Sequence, residues 1–275
     1  MNEERYDLHC HTNCSDGTLT PREILHLAKS IGLTGISITD HDTIAAYDTA
    51  PEIATALGIT LLTGVEFSAS HKGTSIHILG YGFPITAPTI AELCQRHIVR
   101  RGHRNALILE LLKKHKMPLS VEDVTLPFSK SLSTIGRPHI AQAMVTKGYV
   151  PTISDAFKKY IGEERPCYAA GTPHSIEVTL EAIHAAQGVA VIAHPHLINN
   201  GAILDAILKM NFDGIECYYG NFTNQRNTRW LEIAKKKKWL ITGGSDFHGD
   251  MKPAQTLGSS WINGELFAQI QERTR

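Results

Sequence analysis

Short apolar runs alternate with amphipathic stretches along most of the chain, and the polar residues that interrupt them recur at the ends of the runs. Residues 20–32, "TPREILHLAKSIG", predict a helix with Thr20 at the N-cap, Pro21 at the first helical position, Glu23 three after the cap and Gly32 at the stop. "LTGISIT" predicts a short buried strand that ends at Asp40-His41-Asp42. "GITLLTGVEFSA" reads as a strand with Glu66 near its carboxyl end, and "TSIHILGYGF" as another with His77 inside it. The same rhythm then repeats. The helix "LEAIHAAQG" precedes the strand "VAVIA" and His194-Pro195; "GAILDAILKMN" precedes "DGIECYY" with Glu216; "NTRWLEIAKKKK" precedes "WLITGG" and Ser245-Asp246-Phe247-His248. Helices alternating with buried strands predict an α/β fold with a mostly parallel sheet covered on both faces. In such folds, polar residues just past the strands line the active end.

The middle of the chain breaks this rhythm. Residues 96–165 read as helical, with "LILELLKKHK" stopped before Pro118. This segment holds 13 Lys/Arg against 6 Asp/Glu, a net +7, and the remainder of the chain is therefore −7. A charge run usually marks a solvated face. Over an acidic, metal-filled pocket it would instead act as a basic cap that attracts an anion. "IGRPHIAQAM" favours the second reading: Arg137 and His139 flank a proline at a helix start, where phosphate can be gripped.

At 275 residues and 42% hydrophobic, the chain is long enough for one domain or a domain with an insertion. Lys+Arg and Asp+Glu both number 27, so net charge points to neither nucleic acid nor membrane. Five cysteines without paired spacing suit a reducing cytosol, and Cys10-x3-Cys14 lacks the second pair that a zinc site would need. "MNEERYD" lacks the apolar core of a signal peptide, and no apolar run reaches the ~18 residues of a membrane span. The expectation is a soluble cytoplasmic protein with no membrane association and no obligate protein partner.

The unusual number is 15 histidines, and their positions matter more than their count. In "DLHCHTNCSDGT", His9 and His11 are two apart, which on a strand puts both rings on one face and Leu8 and Cys10 on the other. In chain order the candidates are His9, His11, Asp16, His41, Glu66, His77, His194, Asp246 and His248. Imidazoles mixed with carboxylates suit zinc, manganese or iron, and several carboxylates allow bridging between ions. His77 by itself would be a buried hydrogen-bonded histidine. Asp42 reads equally as a helix N-cap before "TIAAYD" or as support for a ligand, and Asp40 as a residue that orients a ligand histidine. Glu216 is expected to be supporting or structural. His26, His97, His103, His115, His174 and His184 are expected at the surface, and Tyr218 and Tyr219 are expected to pack rather than stack on a base.

The H-x-H opening, D-H-D after the second strand, the G-V-E strand, H-P and the late G-S-D-F-H together resemble the PHP (polymerase and histidinol phosphatase) superfamily. With G-R-P-H in the helical insertion, the chain is most similar to its branch of nucleoside 3′,5′-bisphosphate phosphatases and 5′-to-3′ exoribonucleases. The resemblance implies a distorted (β/α)7 barrel from 1–95 and 166–275, with 96–165 as an inserted helical cap. It implies two or three divalent ions: manganese, iron or zinc, with magnesium also admitted. Carried over by position, the first ion takes His9, His11, Glu66 and Asp246; the second shares Glu66 and adds His77 and His194; the third takes Asp16, His41 and His248. Asp16 stands where some relatives have histidine, and its harder oxygen favours manganese, iron or magnesium there. Asp246, His248 and Arg137 form the expected catalytic set. Arg137, His139 and His196 are the expected substrate contacts, with Lys and Arg along 100–104 as candidates for a second phosphate; "HPHL" departs from the pattern at His196. The implied chemistry is hydrolysis of a phosphorylated nucleotide or short RNA, with clustered ions lowering the pKa of bound water toward ~7. The competing readings are a phosphatase for a small metabolite such as histidinol phosphate, or a metal-binding regulatory module without catalysis.

Overall fold

The computed structural model describes residues 3–125, 134–220 and 224–274, so part of the basic insertion, 126–133, lies outside the described residues. Nine strands are described: β1 (Tyr6–Cys10), β2 (Gly35–Ile38), β3 (Thr60–Leu61), β4 (Gly64–His71), β5 (Thr74–Tyr81), β6 (His174–Ser175), β7 (Val189–Ile192), β8 (Gly214–Tyr219) and β9 (Leu240–Gly244). They form a parallel sheet ordered β1-β2-β3 and a mixed sheet ordered β6-β4-β5-β7-β8-β9. Strands β1, β2 and β7 are buried along their whole length, which explains why their sequences are continuous apolar runs broken mainly by site residues.

Ten helices accompany them: α1 (Pro21–Ser30), α2 (Ala50–Leu57), α3 (Pro88–Lys114), α4 (Val121–Thr125), α5 (Arg137–Thr146), α6 (Ile153–Ala156), α7 (Ile176–Ala185), α8 (Gly201–Ile207), α9 (Asn224–Lys237) and α10 (Gly264–Arg273). The start of α1 is the capping box read from sequence. Thr20 Oγ1 accepts the Glu23 N–H at 3.2 Å, while Glu23 Oε2 accepts the Thr20 N–H at 2.8 Å.

Among the described residues the α/β fold is built from two sheets joined at two seams, rather than from one continuous all-parallel (β/α)7 sheet. The departure comes at β4 and β5, which form an antiparallel hairpin in register from Gly64↔Tyr81 to His71↔Thr74. Its turn is Lys72-Gly73, both with positive φ (48° and 81°), so β5 returns directly with no crossover helix. β5 then pairs antiparallel with β7, while β7, β8 and β9 run parallel. Two seams join the sheets. Asp246 N–H donates to His9 O at 2.7 Å, with His11 N–H donating to Phe247 O at 2.9 Å. On the other side His41 bridges Glu66, and Asp42 N–H donates to Glu66 O at 3.0 Å. The first seam depends on Gly244: a Cβ there would lie 2.3 Å from His9 N.

α3 links the sheets to the helical segment. Its first half puts Ile90, Leu93 and Cys94 into the core under β4, β5 and α7. Its second half puts Ile108 and Leu112 into another cluster with Ile140, Met144, Ile161 and Cys167. Position 96 therefore lies inside one continuous helix rather than in a linker.

Candidate metal centre

β1 presents His9 and, one residue past its end, His11 on the same face, while Cys10 packs in the apolar core. His9 Nε2 and His11 Nε2 lie 3.4 and 3.2 Å from Glu66 Oε2, and 3.4 and 3.3 Å from Asp246 Oδ1. The other Glu66 oxygen, Oε1, lies 2.9 Å from His77 Nδ1 and 2.8 Å from His194 Nε2, and those nitrogens are 3.2 Å apart. Asp16 sits between His248 Nε2 (3.4 Å), His41 Nε2 (3.8 Å) and His11 Nδ1 (3.9 Å). All nine side chains named from the sequence converge at one end of the sheets.

The reversal of β5 explains His77. Its register partner is Ser68, two residues past Glu66, so an early residue of β5 lies beside the late part of β4. Three backbones at this end have left-handed conformations without being glycine: Asp42 (φ 59°), His194 (φ 26°) and Asp246 (φ 52°). Such conformations are uncommon outside glycine and cluster where the surroundings hold a functional side chain in place.

Further side chains hold the converging groups. Glu216 Oε1 lies 2.8 Å from His9 Nδ1, leaving Nε2 to face the cluster, and Oε2 accepts the His194 backbone N–H at 2.7 Å. Tyr219 hydroxyl donates to Asp246 Oδ2 at 2.6 Å and Lys252 Nζ donates to the same oxygen at 2.9 Å, which leaves Oδ1 toward His9 and His11. Tyr219 therefore does more than pack, and Lys252 is a functional neighbour that strand-end logic misses. Asp40 accepts from Thr12 N–H, Thr12 Oγ1 and Ser15 Oγ, tying down the loop that carries Asp16. Asp42 caps no helix, and its partners are Arg101, Arg100, His97 and the Ser68 N–H.

The donors fit a cation cluster. His9 Nε2, His11 Nδ1 and Nε2, His41 Nδ1 and Glu66 Oε2 are buried without a hydrogen-bond partner, an expensive arrangement unless something positive completes it. Three sets converge with ligating atoms within 4.8 Å of one another: His9, His11, Glu66 and Asp246; His11, Asp16, His41 and His248; and His41, Glu66 and His77. Burial opposes the charge on Glu66, but His41, His77 and His9 hold its carboxyl well below the usual range. Burial also pushes the His41 imidazole down to about 3, against Glu66 and Asp16, which keeps it neutral as a ligand must be.

Beside the cluster opens a cleft of about 560 Å³, lined both by Asp16, His41, His77 and His248 and by Arg100, Arg101, Arg104 and Arg137. Arg137 lies over the rings of Phe157 (5.9 Å) and Tyr168 (5.3 Å). Burial, together with Arg101, Arg137 and Arg100, pushes Arg104 down to about 8, as expected where positive charges crowd. Among the described lining residues, the one carboxylate is Asp16. His139 and His196 are not part of this lining. His139 is buried and its Nδ1 accepts the Gly136 N–H at 2.8 Å, closing the first turn of α5. The His196 ring lies tilted beside that of Tyr219, with centroids 4.4 Å apart. Of the histidines expected at the surface, His26, His103 and His115 are exposed, and His174 and His184 are half-buried. His97 is fully buried: it lies on the inner face of α3, where Phe67, Asp42 and His174 surround it.

Relatives share this arrangement's chain length and fold. A 5′-3′ exoribonuclease of Haemophilus influenzae is 35% identical over 89% of this chain and 90% of its own length. A 3′,5′-nucleoside bisphosphate phosphatase of Chromobacterium violaceum is 29% identical over 92% and 90%. A crystal structure of a metal-dependent phosphoesterase from Bifidobacterium adolescentis superposes with a TM-score of 0.89 at 33% identity, covering 98% of this chain and 96% of that one. An imidazole-carboxylate cluster beside an arginine wall, with these relatives, defines a metal-dependent phosphoesterase. The PHP domain model matches residues 7–161, and the chain belongs to the PHP domain family.

Proposed function

We propose that this phosphoesterase hydrolyses nucleotides that carry a second phosphate: nucleoside 3′,5′-bisphosphates or short 5′-phosphorylated RNA. The observation that carries this reading is that four arginines line the same cleft as the candidate metal ligands. A metal cluster alone needs one phosphoryl group, whereas four guanidiniums in the same cleft suit a further anion.

In this reading His9, His11, Glu66 and Asp246 would hold one divalent ion, and Glu66, His77 and His194 a second. Asp16, His41 and His248 hold a third, and manganese, iron and zinc all suit this donor set. Bound ions neutralise the phosphoryl oxygens and make water nucleophilic near neutral pH. The chain's own residues do the rest. Glu216 fixes the His9 ring, while Tyr219 and Lys252 fix Asp246 so that one oxygen faces the cluster. The described residues of 96–165 act as a cap, with Arg137 braced by Phe157 and Tyr168 to meet the phosphate that is not cleaved. His139 serves by closing the start of that helix. The buried free thiols suit a reducing cytoplasm, and no helix of the described residues is long and apolar enough to cross a membrane.

Phosphate and nucleotide release, measured with added manganese, iron or zinc, tests the reading. The panel is a nucleoside 3′,5′-bisphosphate, the matching monophosphates, a 5′-phosphorylated dinucleotide and histidinol phosphate. The doubly phosphorylated substrates should have the highest kcat/KM; a preference for histidinol phosphate would overturn the nucleotide assignment.

A further inference from the structure

We infer that Asp42 is a positioning residue that fixes Arg101, and through it the spacing between the metal ligands and the wall for a second phosphate; this rests on the doubly phosphorylated substrate proposed above. Asp42 follows His41 directly and is fully buried. Its Oδ2 accepts from Arg101 Nε at 2.6 Å, lies 2.5 Å from Nη2, and lies 3.6 Å from Arg100 Nη2. Its Oδ1 accepts the Ser68 N–H at 2.7 Å and lies 3.3 Å from His97 Nδ1. Arg101 Nη2 also donates to Ser68 Oγ at 3.1 Å. One carboxylate thus joins the loop after β2, β4 two residues past Glu66, and α3.

The direction of action follows from which groups reach the cleft. Arg101 and Ser68 line it, and Asp42 does not. Two guanidinium nitrogens are engaged by Asp42 and Ser68, so Arg101 is held in one orientation with Nη1 left outside that pairing. The other end of the same loop is equally fixed. Asp42 N–H donates to Glu66 O at 3.0 Å and its φ of 59° is left-handed, so Asp42 and the neighbouring His41 cannot shift without breaking the seam to β4. A buried carboxylate with this many partners is a poor source of net stability. It is well suited to setting a distance, because two Arg101 nitrogens held on one carboxylate oxygen, with Nη2 also on Ser68 Oγ, restrict both position and angle.

The test measures the ratio of kcat/KM for a nucleoside 3′,5′-bisphosphate to that for the matching singly phosphorylated nucleotide, in the parent, Asp42→Asn, Arg101→Lys and the double variant. Lysine keeps the charge of Arg101 but cannot reproduce the two-nitrogen contact. Each single variant should lower the ratio by about tenfold or more, mainly through KM of the bisphosphate. The double variant should be no worse than Arg101→Lys alone, because both break one linkage. Equal losses on both substrates in Asp42→Asn, or a parent-like ratio in Arg101→Lys, would overturn the proposal. If Asp42→Asn does not fold, Arg101→Lys decides alone. A parent ratio near one is a separate outcome: it removes the substrate reading, and this inference with it.

Discussion

Glu66 is the residue on which the site turns. Its two oxygens lie within 3.4 Å of nitrogens from His9, His11, His41, His77 and His194, so a single carboxylate serves rings from four separate stretches of chain. Glu66→Gln removes the charge and one acceptor while keeping the shape; bound metal per chain, read by elemental analysis, should fall together with activity. Glu216 acts one step further out, on the far nitrogen of His9. Residues in that position typically contribute about 10–100-fold to metal affinity. Glu216→Gln should weaken binding by that factor, measured by competition with a chelator, and unchanged affinity would make Glu216 purely structural. Arg137 lines the cleft beside the cluster. A charge-assisted phosphate contact is worth roughly 1.5–3 kcal/mol, so Arg137→Ala should lower kcat/KM by one to two orders of magnitude without loss of metal.

Elements decide which of these residues can meet. β1 lies against β9 because Gly244 has no Cβ, and that contact brings Asp246 beside His9 and His11. α3 adds a consequence of pH. Burial pushes the His97 imidazole down to about 4; Asp42 pulls the other way, while Arg100, His174 and Arg101 further oppose a proton. The unfolded chain takes up that proton near the ordinary value of about 6.5. Between these values the unfolded state binds more protons, so this contribution to stability is present above 6.5 and is lost as pH falls toward 4. Urea unfolding with chelator present should show that decline, and His97→Gln should flatten it.

At the scale of the whole molecule the cluster lies across both seams between the sheets. His9, His11, Asp16 and His41 come from the three-stranded side, and Glu66, His77, His194, Asp246 and His248 from the six-stranded side. Ions bound there favour the folded chain by mass action, about 2.7 kcal/mol at a hundredfold excess over Kd. For a chain of this size, removing that much should lower Tm by roughly 5–10 °C. Calorimetry with and without chelator measures it, and manganese should restore the transition. An unchanged Tm would argue that the donors do not hold cations in solution.

Most of the converging side chains were legible from sequence because polar residues at the ends of apolar runs stand out against a period that burial imposes; His77, inside its run, was legible only through the order of motifs. Helix α1 was legible for a similar reason: Thr20, Pro21 and Glu23 act on backbone groups only a few residues away. The direction of β5 was not, since an apolar strand has the same pattern whichever way it runs, and its antiparallel pairing with β4 and β7 departs from an all-parallel sheet. Nor were the burial of His97, the clasp of Asp42 on Arg101, or the hold of Tyr219 and Lys252 on Asp246. Glu216 and His9 are 207 positions apart. Hydrophobic period reports which face of an element is buried and says nothing of what it is buried against, so local chemistry could nominate the ligands while only tertiary packing could choose the groups that hold them.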